Sequence, residues 1–140
     1  MRISTDVRNG LASAFATAVD AGTGDSKLQL YSGARPATFG DTPGGDLLAE
    51  LTLPATTFGA PAVGVITANA ITATTGTAAA GAGGTVVGWF RVLDGDGAVV
   101  EDSESVGTTS ASELELNQTS VFEGEAVSVT GWTVTMPAGT

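Results

Sequence analysis

A chain of 140 residues with net charge −10, no histidine, no cysteine and a single lysine, Lys27, lacks the side chains from which most neutral-pH catalysts, thiolate nucleophiles and metal sites are built. The length suits one domain, 1–140, and five basic residues against fifteen acids exclude the phosphate-neutralising surface of a general nucleic-acid binder. The expectation is a non-enzymatic domain without a cofactor.

Hydrophobic residues make up 42% of the chain but aromatics only 6%, so the core is built from Val, Leu and Ala with few large anchors. A thin core of this kind favours association with copies of itself or with a partner. All five basic residues (Arg2, Arg8, Lys27, Arg35, Arg91) fall in residues 1–91 beside six acids, whereas residues 92–140 hold nine acids and no base. The last third is therefore expected to present an acidic surface, either solvated or complementary to a basic partner or divalent cations. No apolar run reaches the roughly 20 residues of a membrane helix, so a soluble chain without membrane contact is expected. Asp6, Arg8 and Asn9 interrupt any secretory signal.

The N-terminal 1–22 reads as the one helix or arm. Ser4 or Thr5 caps it, Asp6 suits its first turn, and Val7, Leu11, Ala14, Phe15, Ala18 and Val19 recur at helical spacing as a core-packing or docking stripe. Gly22 and Gly24 end it. The period then changes to two. Lys27–Ser32 is a strand with Leu28 and Leu30 on one face, and Gly33 to Gly45 a long loop containing Phe39. Leu47–Leu53 alternates, with Leu47, Ala49, Leu51 and Leu53 on one side. Pro54 and Pro61 bracket a turn around Phe58. Val63–Thr67 and Asn69–Thr72 read as one interrupted strand or two, with Gly64 as a bulge or close approach.

Residues 73–84, rich in Ala, Thr and Gly, read as a flexible loop or hairpin tip. Thr85–Leu93 is the strongest strand, apolar on both faces and so placed in the middle of a sandwich. Asp94-Gly-Asp96-Gly is a hairpin turn returning through Ala98–Ser103. Glu113–Leu116 alternates acid and leucine. Ala126–Met136 is the last strand, with a parity change at Gly131 that requires a bulge. One helix and seven or eight strands predict a mainly β fold, an antiparallel β-sandwich or jelly-roll-like arrangement over 27–137 with one N-terminal α-helix.

Few constellations carry chemistry. Asp94 and Asp96 are weak cation candidates, because Ala98 and Val99 stand where a calcium loop needs its third ligand and glycine. No pair of carboxylates is singled out for glycoside hydrolysis, and the Gly81, Gly83, Gly84 cluster lacks the Lys and Ser/Thr of a phosphate loop. Tyr31, Phe39, Phe58, Trp89 and Trp132 admit a sugar-stacking platform, although Trp89 and Trp132 sit in strands patterned for the core. Phe39 and Phe58, in loops, are better placed for contact with another chain.

The segments Lys27-Leu-Gln-Leu-Tyr-Ser-Gly33 with Arg35-Pro36, Leu47-Leu-Ala-Glu-Leu-Thr-Leu53, Gly88-Trp-Phe-Arg-Val-Leu-Asp-Gly-Asp-Gly97 and Val127-Ser-Val-Thr-Gly-Trp-Thr-Val-Thr-Met-Pro137, following an N-terminal helix, span nearly the whole chain. In this order they resemble small β-rich virion structural proteins of tailed bacteriophages, of the capsid decoration or cement type. The resemblance implies a structural subunit on the capsid surface of the virion that binds and stabilises the head shell. Its implied partners are the major capsid protein or other virion proteins, and it implies a homo-oligomer such as a trimer. A tail or neck adaptor, or a carbohydrate-binding adhesion module, are the alternatives. On the docking reading, Val7, Leu11, Phe15, Phe39 and Phe58 are the expected partner contacts, with the acidic sheet turned outward.

Overall fold

The computed structural model describes residues 1–139. Helix α1 (Thr5–Val19) is followed by twelve strands: β1 (Lys27–Tyr31), β2 (Leu47–Thr52), β3 (Val65–Thr67), β4 (Thr74–Thr75), β5 (Thr85–Val86), β6 (Trp89–Leu93), β7 (Val99–Ser103), β8 (Val106–Gly107), β9 (Leu114–Leu116), β10 (Ser120–Val121), β11 (Ala126–Val127) and β12 (Val129–Thr135). The fold is mainly β with a single N-terminal helix. One four-stranded sheet runs β2-β1-β6-β7 and a second β3-β12-β9-β8, with short ribbons β10-β5 and β11-β4 beside them. All strand pairings are antiparallel except that of β8 with β9, which is parallel.

The two large sheets share one core. Leu28 and Leu30 of β1, Phe90 and Val92 of β6, Leu114 and Leu116 of β9, and Trp132 and Val134 of β12 are buried within it. Four aromatic rings run through this core from helix to sheet to sheet: Phe15 meets Phe58 at 5.8 Å, Phe58 meets Trp132 at 4.6 Å, and Trp132 meets Phe90 at 6.2 Å, all edge to face. Trp132 is thus a core residue.

Several expectations fail for physical reasons. The expected strand 85–93 divides at Val87-Gly88, because the backbone there crosses Gly33 so closely that a Cβ on Gly88 would overlap the Gly33 carbonyl. No strand forms over 69–72. Residues 73–84 are instead an ordered arch: β4 pairs with β11, a 3₁₀ turn spans Ala78–Ala80, and Thr77 binds β2 by donating from its N–H to the Leu48 carbonyl (2.8 Å) and from its hydroxyl to the Leu47 carbonyl (2.6 Å). Composition conceals this arch because small residues pack there through their backbones. In β2 a register irregularity opposite Leu30 and Tyr31 leaves Leu47 half-buried while Leu48 and Ala49 are both buried.

The Asp-Gly-Asp-Gly hairpin forms as expected, with the Asp94 N–H donating to the Ala98 carbonyl. It docks on the chain leaving α1: the Gly95 N–H donates to the Ala21 carbonyl at 2.8 Å and the Gly24 N–H to the Gly95 carbonyl at 3.1 Å. A Cβ on Gly22 would lie 2.6 Å from the Asp96 nitrogen, so this glycine serves both the positive φ of the helix exit and the close approach of two backbones.

Candidate interaction surfaces

Helix α1 starts where Ser4 Oγ accepts the Val7 N–H, as its capping role requires. Its inward face is Ala12 and Val19, flanked by half-buried Arg8, Asn9, Phe15 and Ala16. Polar side chains fix its rotation. Arg8 donates through Nε and Nη2 to the Met136 carbonyl (3.2 and 3.0 Å), Asn9 Oδ1 accepts the Gly64 N–H (2.7 Å), and the Asp20 carboxylate accepts the Thr57 N–H. Gly64 is the close approach expected of it, since a Cβ there would press on the Arg8 side chain.

This rotation corrects the helix stripe. Val7, Leu11, Ala14 and Ala18 do not enter the core; they form an exposed apolar line, with Val7 51% and Leu11 45% accessible. Their 4-3-4 spacing is that of a coiled-coil seam. Phe15, one turn beyond Leu11, lies at the border between this line and the buried face, where it packs against Phe58. Phe58 is also corrected as a partner contact: it is only 4% exposed, wedged between Phe15 and Trp132.

Phe39 remains outward, 62% exposed, on the loop joining β1 to β2. That loop covers the outer face of the first sheet, which explains why β6 is buried on both sides without a third sheet. Across β1, β6 and β7 the register aligns Gln29, Arg91 and Asp102 in one row and Tyr31 beside Trp89 in the next. Tyr31 stacks on Trp89 at 4.7 Å and 14°, with the Arg91 guanidinium 5.2 Å from the Trp89 ring centre. Trp89 is fully buried there. Trp89, Trp132 and Phe58 therefore do not form an exposed sugar-stacking platform.

Arg91 grips Asp102 through two bonds, Nε to Oδ1 at 2.6 Å and Nη2 to Oδ2 at 2.9 Å. It also donates to the Asp41 carbonyl, while Asp102 Oδ2 accepts the Gly40 N–H, so the ion pair pins the loop at two consecutive residues just after Phe39. Burial pulls the Asp102 carboxyl upward, but the Arg91 hydrogen bond, the Gly40 N–H and the nearby guanidinium charges outweigh it and hold the group below its ordinary value.

The nine acids of the last third do not share a face. Asp102 is consumed by Arg91, and Glu101 points the other way, into the space between the sheets. Asp94 and Asp96 are turned onto backbone: Asp94 Oδ1 accepts the N–H groups of Asp96 and Ala98, and Asp96 Oδ1 accepts the N–H and hydroxyl of Thr23. Among the described residues no group of three or more acidic side chains is arranged to hold a metal ion, and no helix is long and apolar enough to cross a membrane.

The apolar side chains available for contact are thus the α1 line, Phe39 on its loop and, besides Met1 and Val86, Val63. This valine is 63% exposed in a two-residue turn closed by reciprocal Ala62 and Val65 backbone bonds of 2.9 Å, and its φ of +53° is one that a β-branched residue rarely adopts. Only the sequence signals for Val7, Leu11 and Phe39 led to these surfaces. Val63 was hidden because a Val-Gly pair is not a usual primed turn. Comparisons of the chain with family models, curated proteins and solved structures found no match.

Proposed function

We propose that this protein is a non-enzymatic structural subunit of a tailed-phage virion, a decoration or cement protein that binds the head shell through its exposed apolar side chains. The observation that carries the reading is the Val7-Leu11-Ala14-Ala18 line: an apolar seam left in water on a helix that packs on the core through Ala12 and Val19. A second apolar anchor stands on a loop that a buried ion pair holds in shape, so that little ordering entropy remains to be lost on docking. The sequence resemblance supplies the identity of the partner, the major capsid protein or another virion protein, and a homo-oligomer on the particle surface.

The test is co-sedimentation with purified empty shells. The parent protein is expected to co-sediment, and the Leu11→Asp and Phe39→Asp variants to bind at least about tenfold more weakly while keeping the parent circular dichroism. Point variants are the right tools because removing residues 1–22 would also strip Ala12, Phe15 and Val19 from the core. Recovery of the protein only with purified tails would move the site from head to tail, and absence from both fractions would end the virion reading.

A further inference from the structure

Glu101 occupies a position that a carboxylate should not tolerate. In the register of β6 and β7 it stands opposite Val92, and Val92 opposite Leu28, so this row faces the inter-sheet core. Its Oε2 is buried and has no hydrogen-bond partner. Two residues on, on the same face, Ser103 donates its hydroxyl to Glu113 Oε2 at 3.4 Å, and Trp132 Nε1 donates to Glu113 Oε1 at 3.4 Å. The carboxyl groups of Glu101, from the edge of one sheet, and Glu113, from the segment entering β9 of the other, therefore meet across the end of the sandwich.

No cation is there to neutralise them. The charges acting on Glu101 are Glu113 across the gap and Asp102 beside it on β7, both negative, and Asp102 is already bound to Arg91 on the opposite face. The neighbouring strand β6 offers only Val92 at this level. Among the described residues the ion pairs are Arg91–Asp102 and the exposed Arg35–Glu104, and neither reaches the pair. A buried carboxyl in contact with a second carboxyl and with no cation beside it is disfavoured as an anion, so Glu101 is the group that holds a proton. Burial first, then the contact with Glu113, pushes the Glu101 carboxyl up to about 9.

We propose that Glu101 keeps its proton at neutral pH and donates it in a hydrogen bond to Glu113, and that this proton is the latch that fastens edge strand β7 to β9 and closes the end of the sandwich. Glu113 also borders an open recess of about 290 Å³ lined by Ser110, Ser112, Thr133 and Thr135, which gives the pair a path to water. Hydroxide removes this proton as water. The two carboxylates left behind repel, and the connection 104–113, which carries β8, is released.

The test is carboxyl-detected NMR of the full chain from pH 4 to 10, with amide exchange measured at the two ends of that range. One of the two side-chain carboxyls is expected to titrate above pH 8. Amides of residues 104–116, corrected for intrinsic exchange, are expected to lose about tenfold in protection between pH 7 and 10, while β1 and β2 change little. In Glu101→Gln the alkaline loss disappears. Midpoints below pH 6 for both groups would overturn the proposal, as would a shift of both resonances on adding millimolar calcium at pH 7, which would make the partner an ion in place of the proton. Because the titration is read on the parent chain, it decides the matter even if the variant folds poorly.

Discussion

Arg91 and Asp102 show why a single residue can govern a loop. Their bidentate bond is buried, and each partner also holds backbone of the loop, at Asp41 and Gly40. Replacing Arg91 with Ala strands the buried Asp102 carboxylate without its bidentate partner, a defect that costs about 3 to 5 kcal/mol. Urea denaturation is expected to show a loss of that size for Arg91→Ala and a much smaller one for the apolar pair Arg91→Met with Asp102→Leu. Val63 makes the opposite case. A valine held at φ +53° in an exposed turn is strained, so Val63→Asn is expected to raise stability by about 1 kcal/mol, read by the same denaturation. If the strain is retained for docking, the same variant loses affinity for shells, and unchanged affinity would remove Val63 from the contact surface.

At the level of elements, the legible parts were those whose signal is local. β6 is buried on both faces, Asp94-Gly-Asp96-Gly makes a turn, and Gly131 stands at a change of parity; the bulge sits there, between Val129 and Gly131. The illegible parts depend on distant backbone. Gly88 interrupts a strand because Gly33 passes over it, and the 73–84 arch is held by β2 and β11. The helix was found, but its rotation was not, since two apolar stripes share it and the polar anchors Arg8, Asn9 and Asp20 choose between them. The choice is testable. Phe15→Ala, which removes a ring packed on Phe58, is expected to cost about 2 to 3 kcal/mol, whereas Leu11→Asp changes stability by roughly 0.5 kcal/mol or less and spends its effect on shell binding. Similar losses from the two variants in thermal denaturation would mean that the seam is part of the fold.

For the whole molecule, the exposed surface of 6874 Å² is close to the roughly 6,600 Å² expected of a self-contained monomer of this mass. The aromatic column and shared core close within one chain, so assembly is a property of the surface. The pH profile of stability is then a property of the single chain as well. Glu101 is raised in the fold, so its contribution is fully present below its unfolded value of 4.5 and drains away as pH rises toward about 9. Asp102 is lowered, so its contribution is present above its unfolded value of 3.8 and is lost in stronger acid. The two limbs place maximum stability in mild acid, near pH 5, and the alkaline limb amounts to a few kcal/mol by pH 7. Calorimetry is expected to give a Tm several degrees higher at pH 5 than at pH 8. Repulsion among the fifteen acids slopes the same way, but salt distinguishes the two causes: 0.5 M NaCl screens surface charge and leaves a buried pair nearly untouched. The slope should therefore survive salt and flatten in Glu101→Gln; a slope that salt abolishes would assign it to the surface acids instead.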